Sequence, residues 1–327
     1  MNGTYTAATV ETLTSIWQRV LQLSHVGTDD NFFDLGGDSA LAVELFHEVA
    51  NACGRELPPV MIYHAPTIAA LAAILDQPAA PPMPPLVQLK AGSDEQPLFI
   101  AHGLGGSAMD FFQIVKHIQT PRAIYGLQAK GIDGVEEPLD QIEDMARYSL
   151  DAVRQLQPHG PYLLSGFSLG GVVAFEMAQQ LIAEEENIAL LAMLDSYPHY
   201  SRLSVEQRVR LIARQTWRRV ATRLRWLGIS VPPQTAVESA SSPSQQHFRD
   251  SAYRALERYQ PRFYPGKIHF VRAAIPTDFP ADPAAVWSDL AQEFDVETVP
   301  GDHLGIMTTN FESLAAAISR LLPEAER

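Results

Sequence analysis

Apolar positions in the first 76 residues recur at helical spacing. Val10, Leu13, Ile16, Trp17, Val20 and Leu21 fall close to a 3.6-residue period and predict a helix over 10–23. Asp38-Ser39 opens a second helix, with Leu41, Leu45, Phe46 and Val49 on one face and Gly54 past its end. A third, over 67–75, carries Ile68, Leu71, Ile74 and Leu75 with Pro66 at its start. This part of the chain reads as a small bundle of three or four helices. After residue 87 the pattern alternates instead. Short apolar runs at 98–101, 123–127, 162–165, 190–194, 268–272 and 294–299 are separated by helical patterns such as 142–155 and 171–183. Strand–helix alternation predicts a mostly parallel sheet with helices on both faces. The stretch between Asp195 and Lys267 breaks that rhythm and reads as a helical insertion.

Between the two patterns lies Gln77-Pro78-Ala79-Ala80-Pro81-Pro82-Met83-Pro84-Pro85. Prolines at this density form neither a helix nor an interior strand and favour extended polyproline conformation. At about 3.1 Å per residue the segment is a semi-rigid tether of roughly 28 Å. It predicts a helical domain over 8–76, a linker over 77–86 and an α/β domain over 87–325.

Composition adds exclusions. The chain has 327 residues, 46% hydrophobic and 19% charged, with a formal net charge of −14. That balance argues against a nucleic-acid binder. No run reaches the roughly 18 apolar residues that span a bilayer, and a basic-then-apolar leader is absent. The expectation is a cytoplasmic protein with no stable membrane association. The lone Cys53 cannot form an internal disulfide or a cysteine zinc cluster, and no metal site is predicted. Charge is unevenly spread. Residues 1–76 hold nine acids and two bases, net −7, whereas residues 199–262 hold twelve bases and four acids, net +8.

The chemistry begins at Gly166-Phe167-Ser168-Leu169-Gly170, where a predicted strand meets a predicted helix. G-x-S-x-G at such a junction is a nucleophile elbow that lifts Ser168 to the sheet's carboxyl edge. A serine hydroxyl needs a base, and the base needs an orienting acid. The order in this fold is serine, acid, histidine. Of ten histidines, His303 has the right context, in the loop after the strand 294–299. Two aspartates compete for the acid: Asp195 after 190–194, and Asp278 after 268–272. Position alone permits either and slightly favours Asp278. His102-Gly103-Leu104-Gly105-Gly106 is similar to the loop that donates one oxyanion-hole N–H, the other coming from the residue after the nucleophile. Leu104 and Leu169 are therefore the candidate donors. A phosphate-cradling G-x-x-x-x-G-K-[ST] is absent.

A second serine stands out. Asp34-Leu35-Gly36-Gly37-Asp38-Ser39 puts Ser39 at a helix N-terminus, where a cap would be the plain explanation. The flanking Asn31-Phe32-Phe33-Asp34 and Ala40-Leu41-Ala42-Val43-Glu44-Leu45 make a longer pattern than capping requires. It resembles the phosphopantetheine attachment site of carrier proteins, and its GGDS form is similar to those of nonribosomal peptide synthetases. With the elbow and its partners, the chain resembles a carrier protein–thioesterase didomain at the C-terminal end of nonribosomal peptide or polyketide synthetases.

The resemblance implies a four-helix carrier bundle and an α/β-hydrolase domain with a helical lid at about 199–262. It implies 4'-phosphopantetheine attached covalently to Ser39, helix-start N–H groups facing its phosphodiester, and a triad of Ser168, His303 and Asp195. It further implies release of an acyl or peptidyl chain through an acyl-serine in secondary-metabolite biosynthesis. The implied partners are a phosphopantetheinyl transferase and upstream synthetase modules or an adenylating enzyme. Two other classes stay open: a carrier with an inert hydrolase-like partner, and a general esterase with a helical appendage. The arginines between Arg208 and Arg225 suggest either a dock for the acidic carrier or a solvated helix face.

Overall fold

The computed structural model describes residues 5–77, 83–197, 243–275 and 282–323. Asp278 and the arginines between Arg208 and Arg225 therefore lie outside the described residues, as does most of the expected lid.

The first unit has four helices: α1 (Ala7–Leu21), α2 (Ser39–Cys53), α3 (Met61–His64) and α4 (Ile68–Leu75). Gly54 ends α2 in the left-handed region at φ 66°, where glycine carries no Cβ penalty. Pro66 does not start α4. Thr67 caps it, its hydroxyl accepting from the Ala70 N–H at 3.2 Å, because a cap needs a side-chain acceptor that proline lacks. Leu13, Trp17, Phe32, Leu45, Ile68 and Leu71 are fully buried and hold the helices together. Each such side chain contributes about 1.5–3 kcal/mol on burial. Phe32 meets Trp17 edge-on at 5.2 Å, and a Cβ on Gly37 would lie 2.3 Å from the Phe32 ring. The loop before Ser39 is thus drawn onto the core by a contact only glycine allows.

The second unit is built on a seven-stranded sheet in the order β1-β3-β2-β4-β5-β6-β7. Its strands are β1 (Leu86–Lys90), β2 (Ser93–Ala101), β3 (Arg122–Leu127), β4 (Tyr162–Phe167), β5 (Ile188–Leu194), β6 (Tyr264–Ala273) and β7 (Ala291–Val299). β1 pairs antiparallel with β3 and the remaining pairs are parallel. The sequence pattern misses β1, since an edge strand beside a proline-rich run buries one fully enclosed residue, Val87. β2 begins five residues before the predicted 98–101 run. The register shifts between Ser93 and Leu98, where Pro97 cannot donate to the ladder.

Alternation along β2 sends Phe99 and Ala101 into one core, and Leu98 and Ile100 into another on the opposite face. α6 (Ile142–Leu156) and α7 (Leu169–Ala183) cover the first face. α5 (Phe112–His117) and the helix Phe311–Leu321 cover the second. No helix among the described residues is long and apolar enough to cross a membrane.

The two units touch. Phe33 lies 4.8 Å from Tyr63 and 5.1 Å from Phe112 by ring centroids, and the Lys116 ammonium sits 4.0 Å over the Phe112 ring. Aromatic pairs of this kind contribute about 0.5–1.5 kcal/mol each beyond the area they bury. The tether is also held at both described ends. The Gln77 carbonyl accepts from Arg55 at 2.5 Å, and Met83 is buried, its N–H donating to Asp133 at 3.1 Å. These contacts put the bundle against α5, which follows directly from the loop after β2.

Candidate active site

The carboxyl edge of the parallel strands gathers the chemistry. β4 ends at Phe167 and α7 begins at Leu169, so Ser168 alone makes the turn, at φ 55° and ψ −118°. A non-glycine residue held there costs about 1–3 kcal/mol, which the surroundings must offset. Two contacts do so. The Ser168 N–H donates to the Leu194 carbonyl at 2.9 Å. The flanking glycines let α7 come close: a Cβ on Gly166 would lie 2.1 Å from the Gly170 carbonyl oxygen, and one on Gly170 would lie 2.2 Å from that of Ala101.

His303 reaches the serine from the loop after β7. Its Nε2 lies 3.1 Å from Ser168 Oγ, and its Nδ1 lies 2.7 Å from Asp195 Oδ2. Asp195 follows β5, the strand beside β4, and is itself buried at φ 45°. Its Oδ1 accepts from the Ala273 N–H at 3.2 Å and from the Tyr197 hydroxyl at 3.5 Å. Two acceptor oxygens thus face different donors, which sets the carboxylate's orientation. Phe167 stacks on the His303 imidazole at 4.6 Å and 26°, steadying the ring. Phe167, Tyr197 and Ala273 were not among the sequence candidates. Phe167 sits inside the G-x-S-x-G motif, but nothing in its spacing signals a stacking role.

Leu104 lies in the loop after β2 and Leu169 is the first residue of α7. Among the described residues, no backbone carbonyl accepts from either N–H. The close approach of Gly170 to the Ala101 and His102 carbonyls brings the two segments together.

His102 fills a supporting place. Its ring is buried, Nδ1 lies 2.9 Å from the Gly103 carbonyl, and Phe248 meets it edge-on at 5.4 Å. A carbonyl only accepts, so Nδ1 carries the proton. Burial pushes the pKa down to about 4, against the partial opposing effect of the Gly103 bond. The unfolded chain binds this proton near 6.5 and the folded chain does not, so the stability this neutral histidine confers is present above 6.5 and lost as pH falls towards 4. The loss approaches about 3 kcal/mol, and it should be smaller in His102→Gln. Thermal melts at pH 7 and pH 4.5 check this; equal acid sensitivity in both proteins would contradict it.

Ser39 begins α2 after a loop in which Gly36 adopts φ 93°. Ala40 is exposed and Val43 retains 56% of its surface, so one face of the first turns of α2 meets solvent. The helix-start donors expected to meet a phosphodiester are partly taken. The Asp38 carboxylate accepts from the Ala40 and Leu41 N–H groups, each at 2.9 Å. A serine hydroxyl still has the chemistry for a phosphodiester link, so the residue types fit phosphopantetheine.

A strained serine at a strand–helix turn, with a histidine and a buried carboxylate from later strand ends, defines an α/β-hydrolase. The profile of the thioesterase domain matches residues 96–322, and the chain belongs to that family. The profile of the phosphopantetheine attachment site matches residues 11–75, so the cofactor is covalently attached 4'-phosphopantetheine. The chain is 42% identical over 191 residues to a dimodular nonribosomal peptide synthase of Bacillus subtilis (strain 168), covering 58% of this chain and 8% of that protein. It is 40% identical over 181 residues to an indigoidine synthase of Dickeya dadantii (strain 3937), covering 54% of this chain and 12% of that protein. The chain thus spans a small part of these relatives.

Among solved structures, the four-domain nonribosomal peptide synthetase AB3403 matches 99% of this chain and 27% of its own, at TM-score 0.61 and 23% identity. The type II thioesterase BorB matches 75% of this chain and 100% of its own, at TM-score 0.56 and 21% identity. At these identities the likeness shows the fold.

Proposed function

We propose that this chain releases an acyl or peptidyl group from its own carrier domain through an acyl-serine intermediate. In this reading residues 8–76 are the carrier, 77–86 the tether and 87–325 the thioesterase, with Ser39 the attachment point. The observation that carries it is the hydrogen-bonded relay from Asp195 through His303 to Ser168 in a chain that also matches a phosphopantetheine attachment site. An inert hydrolase-like partner has no use for that relay, and a general esterase has none for the attachment site.

Phosphopantetheine supplies a thiol that presents the acyl chain as a thioester. His303 Nε2 takes the Ser168 hydroxyl proton as Oγ attacks the thioester carbonyl, and Asp195 stabilises the resulting imidazolium. The Leu104 and Leu169 N–H groups hold the developing oxyanion, each worth about 3 kcal/mol. His303 would return that proton to the leaving group as the acyl group passes to Ser168 Oγ. The acyl-serine then passes to water or to a hydroxyl or amine nucleophile, with His303 again acting as base. Phe33 and Tyr63, packed on Phe112, hold the carrier beside α5.

In this reading the chain works in the cytoplasm, with a phosphopantetheinyl transferase and with upstream synthetase modules or an adenylating enzyme to load it. Incubation with coenzyme A and a phosphopantetheinyl transferase should add one phosphopantetheinyl group to Ser39 by peptide mass mapping. Use of acyl-coenzyme A instead should load an acyl group that then leaves with time. A protein that takes no group at Ser39, or keeps the acyl group indefinitely, sinks the reading.

A further inference from the structure

The loop that offers the Leu104 N–H is held at a single carbonyl. Gly103 O accepts from the Gly106 N–H at 3.0 Å and from His102 Nδ1 at 2.9 Å. The first bond closes a four-residue turn with Leu104 and Gly105 at its centre and Gly106 at φ 75°. The second comes from the residue just before the turn, at the carboxyl end of β2. The Gly103 carbonyl and the Leu104 N–H belong to one planar trans peptide, so they point in opposite directions. Whatever fixes the carbonyl therefore aims the N–H.

Both donors to that carbonyl are backed by one aromatic side chain. Phe248, on the helix Pro243–Arg258, is buried edge-on against the His102 ring at 5.4 Å. Its own ring lies 3.0 Å from where a Cβ on Gly106 would stand. The helix is in turn fixed to the catalytic core. Tyr259, just past its end, is buried and donates its hydroxyl at 2.8 Å to Glu176, a buried carboxylate on α7 that the reaction steps leave without a task. Arg258 pairs with Asp140 at 2.7 Å. α7 is the helix that starts at the nucleophile elbow. Gly103 also approaches the elbow directly, since a Cβ there would lie 3.1 Å from the Phe167 ring that stacks on His303.

We propose that His102 and Phe248 are positioning residues for the oxyanion hole: Phe248 holds the His102 imidazole, whose Nδ1–H sets the Gly103–Leu104 peptide and so aims the Leu104 N–H. Donors fixed before charge develops need no reorganisation in the transition state, and their effect on rate comes from that. The helix Pro243–Arg258 lies in the segment between β5 and β6, so this segment takes part in the acylation step through the loop after β2. The inference rests on the reading in which Ser168 attacks and the Leu104 N–H holds the oxyanion.

Phenyl octanoate and its thiono counterpart, in which sulfur replaces the carbonyl oxygen, test it. Both acylate Ser168 Oγ with loss of phenol, and phenol release gives kcat/KM for each. Sulfur accepts hydrogen bonds weakly, so the ratio of the two values reports the aim of the oxyanion donors. A displaced nucleophile or a partly unfolded sample slows both reactions and leaves the ratio unchanged. The wild type should favour the oxygen ester. His102→Leu, which deletes the donor, should lower that preference by about tenfold or more. Phe248→Ala should lower it in the same direction, and His102→Asn, whose amide places an N–H where Nδ1–H stands, should keep it. A wild type without preference, a ratio unchanged in His102→Leu, or one lost equally in His102→Asn overturns the aiming role. A ratio unchanged in Phe248→Ala overturns the part given to the helix. A wild type that neither compound acylates at Ser168 overturns the catalytic reading itself, and the inference with it.

Discussion

Replacing Ser168 with alanine stops release, and the acyl group loaded onto Ser39 stays there. Removing the nucleophile of a serine relay costs about 10⁶ in kcat, because water attack then lacks both the covalent step and the proton path. The fold should tolerate the change. What the side chain loses is the 3.1 Å bond to His303, while the turn is held by the Ser168 N–H bond to Leu194 and by the glycines on either side. Intact mass spectrometry of acyl-loaded protein over time gives the answer directly. Clearance of the acyl group at the wild-type rate would show that Ser168 is not the nucleophile.

Asp195→Asn should lower release by about 10⁴ with little change in melting temperature. The geometry gives the reason. Oδ1 of Asp195 accepts from the Ala273 N–H, so an asparagine would keep its carbonyl oxygen there and turn its NH₂ towards His303 Nδ1. Nδ1 must then accept, the ring's proton moves to Nε2, and Nε2 can no longer take the serine proton. A loss below tenfold at unchanged melting temperature would remove Asp195 from the relay; a large fall in melting temperature would assign it a structural role instead. Asp195→Ala, which presents no N–H to His303, should lose less than the asparagine variant if the tautomer is the cause.

Much of this was legible along the chain because the signals are local. The helical period around Trp17, the alternating apolar runs and the glycine spacing around Ser168 each describe a few neighbouring residues. The elements they predict are found, with ends shifted by a few residues. Where reading failed, the deciding partner lay elsewhere. β1 exists because β3 offers an edge to Leu86–Lys90, not because its own residues demand a strand. The helix Phe311–Leu321 buries Leu314 and Ile318 against a sheet face whose other residues come from β2, β4 and β5. The expected anion site at the start of α2 changed for a local reason instead: Asp38, itself part of the motif, folds back onto two of the N–H groups.

The opening pattern of a helical stretch, a proline-rich joint and an alternating stretch already pointed to two units, and the two serine motifs to a candidate nucleophile and a candidate attachment point. Each follows from residue types within one turn or one strand. The partner of His303 does not. Asp195 and Asp278 both follow strands, and chain order cannot say which strand end stands beside Ser168. Among the described residues, packing brings His303 to Asp195: β5 lies against β4, and its end meets the His303 loop at 2.7 Å, while Asp278 lies outside the described residues. The seat of the bundle on Phe112 and the approach of His303 to Asp195 belong to the same class. They join residues dozens to more than a hundred positions apart, and such proximity exists only once the core has packed.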